Sequence, residues 1–225
     1  MSRLTYVSRK STVQGKQAPT VIVMHGYGAD ELDLLPIINH LGIELNVISL
    51  QAPYALPFGG YAWYHLEQTV NGLHADDTSR QQSESLLLEE LPAILKSESL
   101  SSENVYLMGF SQGAAMSYSL LGAHDLSTVG IAVQGVVALS GYIPRDVIPK
   151  FKNKKFEGFP LFISHGEYDE LIPSIALDEA KVLLEEQGAN VTAKVYPVGH
   201  GLTEETVSDL SNWLEVTLQR PVTKS

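Results

Sequence analysis

Short runs of apolar, largely β-branched residues alternate along this chain with longer amphipathic segments, and that rhythm narrows the fold more than any other feature. Thr20–Met24, Asn46–Leu50, Asn104–Met108, Gln134–Ser140 and Pro160–Ser164 are apolar almost throughout, and most end at turn-forming residues. A strand wetted on one face alternates apolar with polar side chains; a strand covered on both faces does not. These runs therefore predict a parallel sheet buried between helices. Val191–Tyr196 adds a strand with more alternation, and Leu4–Arg9 an edge strand.

The intervening segments read as helices. Thr78–Lys96 places Leu87, Leu88, Leu91, Ile94 and Leu95 on one face at helical spacing, with Pro92 expected to kink the helix or mark its boundary. Ser111–Gly122, Ser174–Gln187 and Thr203–Thr217 follow the same pattern. Gly188 stands where a left-handed C-cap would sit, and Thr203 with Glu204 and Glu205 forms a favourable helix start. Strand–helix alternation of this kind predicts an α/β doubly wound architecture. At 225 residues, with no Pro/Gly/Ser-rich linker and no repeat, residues 1–225 are expected to form a single domain. One long stretch, Gln51–Asp77, has no clear regular structure but carries Tyr54, Tyr61, Trp63 and Tyr64, a combination that suits a functional loop. Arg220–Ser225 reads as a frayed tail.

Composition removes several functions. Fifteen Lys and Arg against 26 Asp and Glu give a formal charge of −11, which argues against nucleic-acid binding. The lysines between Lys150 and Lys155 read as a solvated loop. The absence of cysteine excludes disulfide scaffolds, thiolate-held metals and a cysteine nucleophile. His65, His74 and Asp76–Asp77 lack tight ligand spacing, so neither a metal nor another cofactor is expected. The first ten residues lack a signal-peptide apolar run, and no stretch of about 18 apolar residues occurs, so no membrane span and a cytoplasmic location are expected.

The sharpest local motif is Gly109-Phe-Ser-Gln-Gly113. A G-x-S-x-G pentapeptide between a strand and a helix holds its serine on a strained turn, with the hydroxyl clear of the backbone. The preceding Asn104–Met108 and following Ala114–Leu121 supply that context, and the new helix brings its free N–H groups beside Ser111. A serine nucleophile in such a fold is followed along the chain by an acid and then a histidine. Of seven histidines, only His200, flanked by Gly199 and Gly201, follows all the plausible acids. The acid belongs at the end of a strand between the two. Asp169 is the best placed, with Glu167 and Glu170 as competitors in the same loop. Two N–H donors are needed to hold an oxyanion. The amide of Gln112 follows the nucleophile directly. Tyr27, between Gly26 and Gly28 after the first buried strand, offers the second.

Taken together, His25-Gly-Tyr-Gly28, Ala52-Pro-Tyr54 with Trp63-Tyr64, Gly109-Phe-Ser-Gln-Gly-Ala114, His165-Gly-Glu-Tyr-Asp169 with Pro173, and Gly199-His200 resemble the phospholipase/carboxylesterase family. That family includes the acyl-protein thioesterases and small bacterial carboxylesterases, and the matching blocks run from about Thr20 to Trp213. The resemblance implies an α/β-hydrolase fold with a mostly parallel central sheet of about seven strands, helices on both faces and no large cap domain. It also implies Ser111, Asp169 and His200 as a triad, Tyr27 and Gln112 as oxyanion donors, and pairing into homodimers. The expected reaction is hydrolysis of short- to medium-chain acyl esters. Long-chain acyl-protein thioesterase or lysophospholipase activity is the alternative, and a non-catalytic binding protein on the same scaffold a third. Substrate is expected against the Gln51–His74 stretch, with Trp63 and Tyr64 as walls and Leu171 or Leu202 nearby. Two departures from the family pattern stand out. Ala114 replaces a glycine and would trim the pocket; His65 follows Trp63-Tyr64 where an aspartate is common.

Overall fold

A computed structural model describes residues 2–12, 18–69 and 72–219; the tail read at Arg220–Ser225 lies outside them. In chain order the elements are β1 (Tyr6–Arg9), β2 (Thr20–Met24), α1 (Leu35–His40), β3 (Asn46–Leu50), β4 (Tyr54–Ala55), β5 (Tyr61–Ala62), β6 (Leu66–Thr69) and β7 (Gly72–Ala75). They continue as α2 (Asp77–Ser97), β8 (Val105–Phe110), α3 (Gln112–Ala123), β9 (Val133–Leu139), α4 (Ile148–Phe151), β10 (Pro160–Gly166), α5 (Ile175–Glu186), β11 (Asn190–Tyr196) and α6 (Glu204–Leu218). The central sheet has seven strands in the order β1-β3-β2-β8-β9-β10-β11. β1 runs antiparallel to β3, and the other neighbours pair in parallel. The parallel core of this sheet is what the buried strands predict, and its seven strands with one antiparallel edge match the α/β-hydrolase fold that the resemblance implies.

Period-two alternation sorts the strand side chains into two apolar layers. Ile22, Ile48, Leu107, Val136 and Leu161 join one layer with Leu87, Leu91, Ala115, Leu177 and Leu184 of α2, α3 and α5. Val21, Val47, Tyr106, Val137 and Phe162 join the other with Ile38, Leu210 and Leu214 of α1 and α6. A strand that feeds both layers cannot show a polar face, which is why the sequence runs are apolar throughout.

Two expectations need correction, and at Pro92 one of the two alternatives falls away: α2 passes through it without a boundary. Leu87, Leu91, Ile94 and Leu95 are buried on the sheet, at about 1.5–3 kcal/mol each. Together they outweigh the roughly 3 kcal/mol of an interior proline. Gln51–Asp77 is not a long irregular loop, since it folds into two small hairpins, β4–β5 and β6–β7. Its two- and four-residue strands are too short for periodicity to reveal. The lysine-rich stretch is not wholly solvated either. Lys154 donates to the carbonyl oxygens of Leu121 (2.8 Å) and His124, at the end of α3, where the helix dipole favours a cation. Burial draws the Lys154 pKa below the ordinary lysine value. Among the described residues, no helix is long and apolar enough to cross a membrane.

Candidate active site

The turn between β8 and α3 stores backbone strain at one residue. Ser111 has φ 54° and ψ −115°, outside the helical and extended regions. The turn is held by close backbone approach on both sides. A Cβ at Gly109 would lie 2.1 Å from the Gly113 carbonyl, and one at Gly113 2.0 Å from the carbonyl oxygen of Met24. Neither space admits any side chain, so both glycines of the pentapeptide follow from packing. Ala114 is fully buried, with its methyl facing Gly141 beneath the β9 end. The extra methyl therefore fills core space and does not trim the pocket.

Ser111, His200 and Asp169 form one hydrogen-bonded chain. His200 Nε2 lies 2.8 Å from Ser111 Oγ, and His200 Nδ1 lies 2.7 Å from Asp169 Oδ2. The loops after three parallel strands, β8, β10 and β11, bring them to one edge of the sheet. Glu167 and Glu170, the other acids of that loop, are exposed, whereas Asp169 is buried. Asp169 Oδ1 accepts the amides of Leu171 and Ile172, each at 2.9 Å. Burial by itself would raise its pKa. The Ile172 amide, His200 and the Leu171 amide outweigh that and hold the carboxyl below its ordinary value. His165 closes the arrangement from behind, with Nε2 2.8 Å from the Ile172 carbonyl and 3.2 Å from Asp169 Oδ2. An ionised acid and a histidine held between it and a hydroxyl can relay a proton at Ser111 Oγ.

Gly26, Tyr27 and Gln112 line the same groove as Ser111 and His200. A Cβ placed on Gly26 would sit 3.4 Å from Ser111 Cβ, so the β2–α1 loop passes directly over the nucleophile. The side chain of Gln112 has a separate task. Its Oε1 accepts the amide of Trp63 and its Nε2 donates to the carbonyl of Tyr64, both at 2.9 Å.

The groove has a volume of about 1370 Å³ and extends from Ser111 towards α5. Apolar side chains from the β9–α4 connection, from α4 and from α5 flank it, among them Ile143, Ile148, Ile175 and Val182. Of the residues expected at the substrate, Tyr64 and Leu171 line it. The Tyr64 hydroxyl is 2.9 Å from that of Tyr142, another lining residue. Trp63 does not line it. It is fully buried, and its indole N–H donates to the His25 carbonyl at 2.9 Å, so it braces the loop that carries Tyr27. Leu202 also lies elsewhere, packed on the apolar layer of α1 and α6. The α5 wall escaped sequence reading because Ile175 and Val182, which remain largely exposed, look like ordinary surface positions on an amphipathic helix. The His65 ring packs at a tilt against Tyr54, 4.4 Å between ring centres; its carbonyl accepts the Asp76 amide at 2.9 Å, and the Asp76 carboxylate caps α2.

A family model described as phospholipase/carboxylesterase matches residues 10–218. Acyl-protein thioesterase 1 of Yarrowia lipolytica is 28% identical over 237 residues, covering 95% of this chain and 98% of that protein. The Bacillus cereus carboxylesterase structure superposes with a TM-score of 0.80 at 27% identity, covering 96% of this chain and 95% of that one. A carboxylesterase from Mesorhizobium loti shares the fold, with a TM-score of 0.76 at 20% identity over 89% of this chain and 90% of its own.

Proposed function

The chain belongs to the phospholipase/carboxylesterase family and is a serine ester hydrolase, and from that premise we propose that it cleaves acyl esters through Ser111, His200 and Asp169. Ser111 Oγ attacks the substrate carbonyl carbon while His200 Nε2 takes the hydroxyl proton. The carbonyl electrons move onto oxygen, which is held by the amides of Tyr27 and Gln112. When the intermediate collapses, the bond to the leaving group breaks and His200 returns the proton to the departing alcohol or thiol. Water then attacks the acyl-enzyme, giving its proton to His200; as the second intermediate collapses, the bond to Ser111 Oγ breaks, His200 returns the proton to that oxygen and the carboxylic acid leaves. Asp169 holds the His200 tautomer and stabilises the imidazolium. The hydrogen-bonded chain from Ser111 to Asp169 carries this reading.

The first reading of substrate is a short- to medium-chain carboxylic ester reaching an open site. The groove favours a second reading, a thioester or lysophospholipid with a long acyl chain. Its 1370 Å³ exceeds the roughly 300–1,000 Å³ of ordinary ligand pockets, and its α5 wall offers Ile175, Val182 and Leu183 alongside the carboxylates Asp178, Glu179 and Glu186. Hydrolysis rates for p-nitrophenyl esters from acetyl to palmitoyl separate the two, a maximum at about C12 or longer selecting the second. A non-catalytic binding protein on this scaffold would leave Ser111 unreactive. We therefore expect a fluorophosphonate probe to label Ser111, with labelling and ester hydrolysis both abolished in Ser111→Ala. Undiminished hydrolysis by Ser111→Ala would overturn the assignment. The same proposal keeps residues 1–225 as one domain and takes the protein to be a homodimer, which sedimentation measures.

A further inference from the structure

An oxyanion donor on a glycine-flanked loop needs something to fix the direction of its N–H. Tyr27 N–H and Gly26 C=O are opposite ends of one planar trans peptide unit, so whatever holds the oxygen also aims the hydrogen. Two donors meet that oxygen: the His25 ring, with Nδ1 at 2.7 Å, and the Ala29 amide at a longer 3.3 Å. The opposite ring nitrogen, His25 Nε2, lies 3.1 Å from the Ala52 amide.

These partners determine the tautomer. An amide N–H can only donate, so Nε2 must carry a lone pair. A carbonyl can only accept, so Nδ1 must carry the hydrogen. His25 is therefore neutral, with the hydrogen on Nδ1. Burial works in the same direction, lowering its pKa below the ordinary histidine value against the opposing pull of the Gly26 carbonyl and nearby Asp33. The ring is almost wholly buried and packs against Trp63, whose indole N–H holds the carbonyl of His25 itself. Thus the two peptide units leading to Tyr27 both have their oxygens tied down by ring N–H groups.

We propose that His25 is a positioning residue for catalysis: its Nδ1–H, bonded to the Gly26 carbonyl, turns the Tyr27 N–H towards the oxyanion. The inference rests on the oxyanion role assigned to Tyr27 above. His25 touches no reacting atom and takes no proton during the cycle.

Two substitutions separate this task from mere core packing. His25→Asn keeps a donor near the place of Nδ1 and loses the acceptor for Ala52. His25→Gln offers an acceptor near the place of Nε2 and loses the donor to Gly26. The expected result is that Asn retains most of the wild-type kcat/KM for a p-nitrophenyl ester, while Gln loses about tenfold or more. An entirely missing donor, at about 10²–10³, sets the ceiling. Affinity for a phenylboronic acid, whose adduct places an oxygen in the same hole, is expected to fall in parallel. If Gln equals or exceeds Asn in activity, the proposal is wrong. Should either variant fail to fold, the ring nitrogens of wild-type His25 decide by nitrogen NMR, and a hydrogen found on Nε2 overturns the proposal. A wild-type protein that hydrolyses no ester would instead count against the assigned reaction, and the tautomer measurement would still stand on its own.

Discussion

Replacing Asp169 with asparagine tests the proton relay with almost no change in shape, and the structure specifies which way the new amide turns. Asp169 Oδ1 accepts two backbone N–H groups, from Leu171 and Ile172, both at 2.9 Å. In Asp169→Asn that position must be taken by the amide oxygen, since an NH₂ there would face two donors. The NH₂ group is then forced to the place of Oδ2, 2.7 Å from His200 Nδ1. A donor there requires His200 to present a lone pair at Nδ1 and hence its hydrogen at Nε2. That hydrogen points at Ser111 Oγ, 2.8 Å away, and the ring can no longer accept the serine proton. The wrong tautomer in a Ser-His-Asp triad costs about 10⁴ in kcat.

Stability separates this variant from a simple truncation. Asp169→Asn keeps the acceptor for both loop amides, so its thermal midpoint is expected to stay close to wild type. Asp169→Ala orphans both amides, at about 1–3 kcal/mol for each that stays buried, and is expected to lose stability along with activity. The assay is kcat/KM for p-nitrophenyl acetate beside a thermal melt. An Asp169→Asn enzyme within tenfold of wild type would refute the reasoning. So would a Glu167→Gln or Glu170→Gln variant with the larger loss, since each carries its side chain in solvent.

Other expectations concern the scaffold. Arg80 is fully buried and pairs with Glu84, with Asp146 at 2.6 Å and with Asp77 at 3.0 Å. Arg80→Met leaves the buried Glu84 carboxylate without its main partner and should cost about 3–5 kcal/mol in denaturant unfolding. Gly113→Ala drives a methyl into the Met24 carbonyl and should cost more than the roughly 1–3 kcal/mol of ordinary overpacking, read as insoluble or strongly destabilised protein. Glu90 is held at a pKa of about 2, chiefly by the Arg3 side chain and also by Ser2 and the Arg3 amide. Its native pKa lies below the ordinary carboxylate value, so its contribution is full above about pH 4.5 and is lost as pH falls towards 2. Glu90→Gln is therefore expected to lower stability slightly at pH 7, by no more than about 1 kcal/mol, and to flatten the acid limb of the stability profile below pH 4.5.

What the sequence made legible was whatever the backbone itself encodes. Gly109 and Gly113 are compelled by carbonyl oxygens about 2 Å from where a Cβ would stand, so the motif around Ser111 records a packing constraint readable without a structure. The order of Ser111, Asp169 and His200 is readable for a related reason: parallel strands expose their carboxyl ends at one edge, and loops from β8, β10 and β11 must converge there. Position in the chain favours Asp169 but leaves Glu167 and Glu170 as competitors in the same loop. The choice depends on which carboxylate turns inward beneath the Leu171 and Ile172 amides, a matter of loop geometry.

The walls of the groove show the opposite case. Trp63 and Tyr64 are adjacent and aromatic, and composition gives them the same role, yet they stand in the bend between β5 and β6 and their side chains go to different places. Tyr64 reaches the groove, while Trp63 is driven under the β2–α1 loop, where its indole finds the His25 carbonyl. What holds that division in place is Gln112, which bonds the backbone of both residues. One elbow residue thus offers its main-chain amide as a proposed oxyanion donor and, through its side chain, fixes the tryptophan that braces the loop of the other donor. Gln112 could be assigned its first role from position alone, directly after the nucleophile. Its second role exists only across 49 residues of chain, and so does the distinction between a substrate wall at Tyr64 and a structural brace at Trp63.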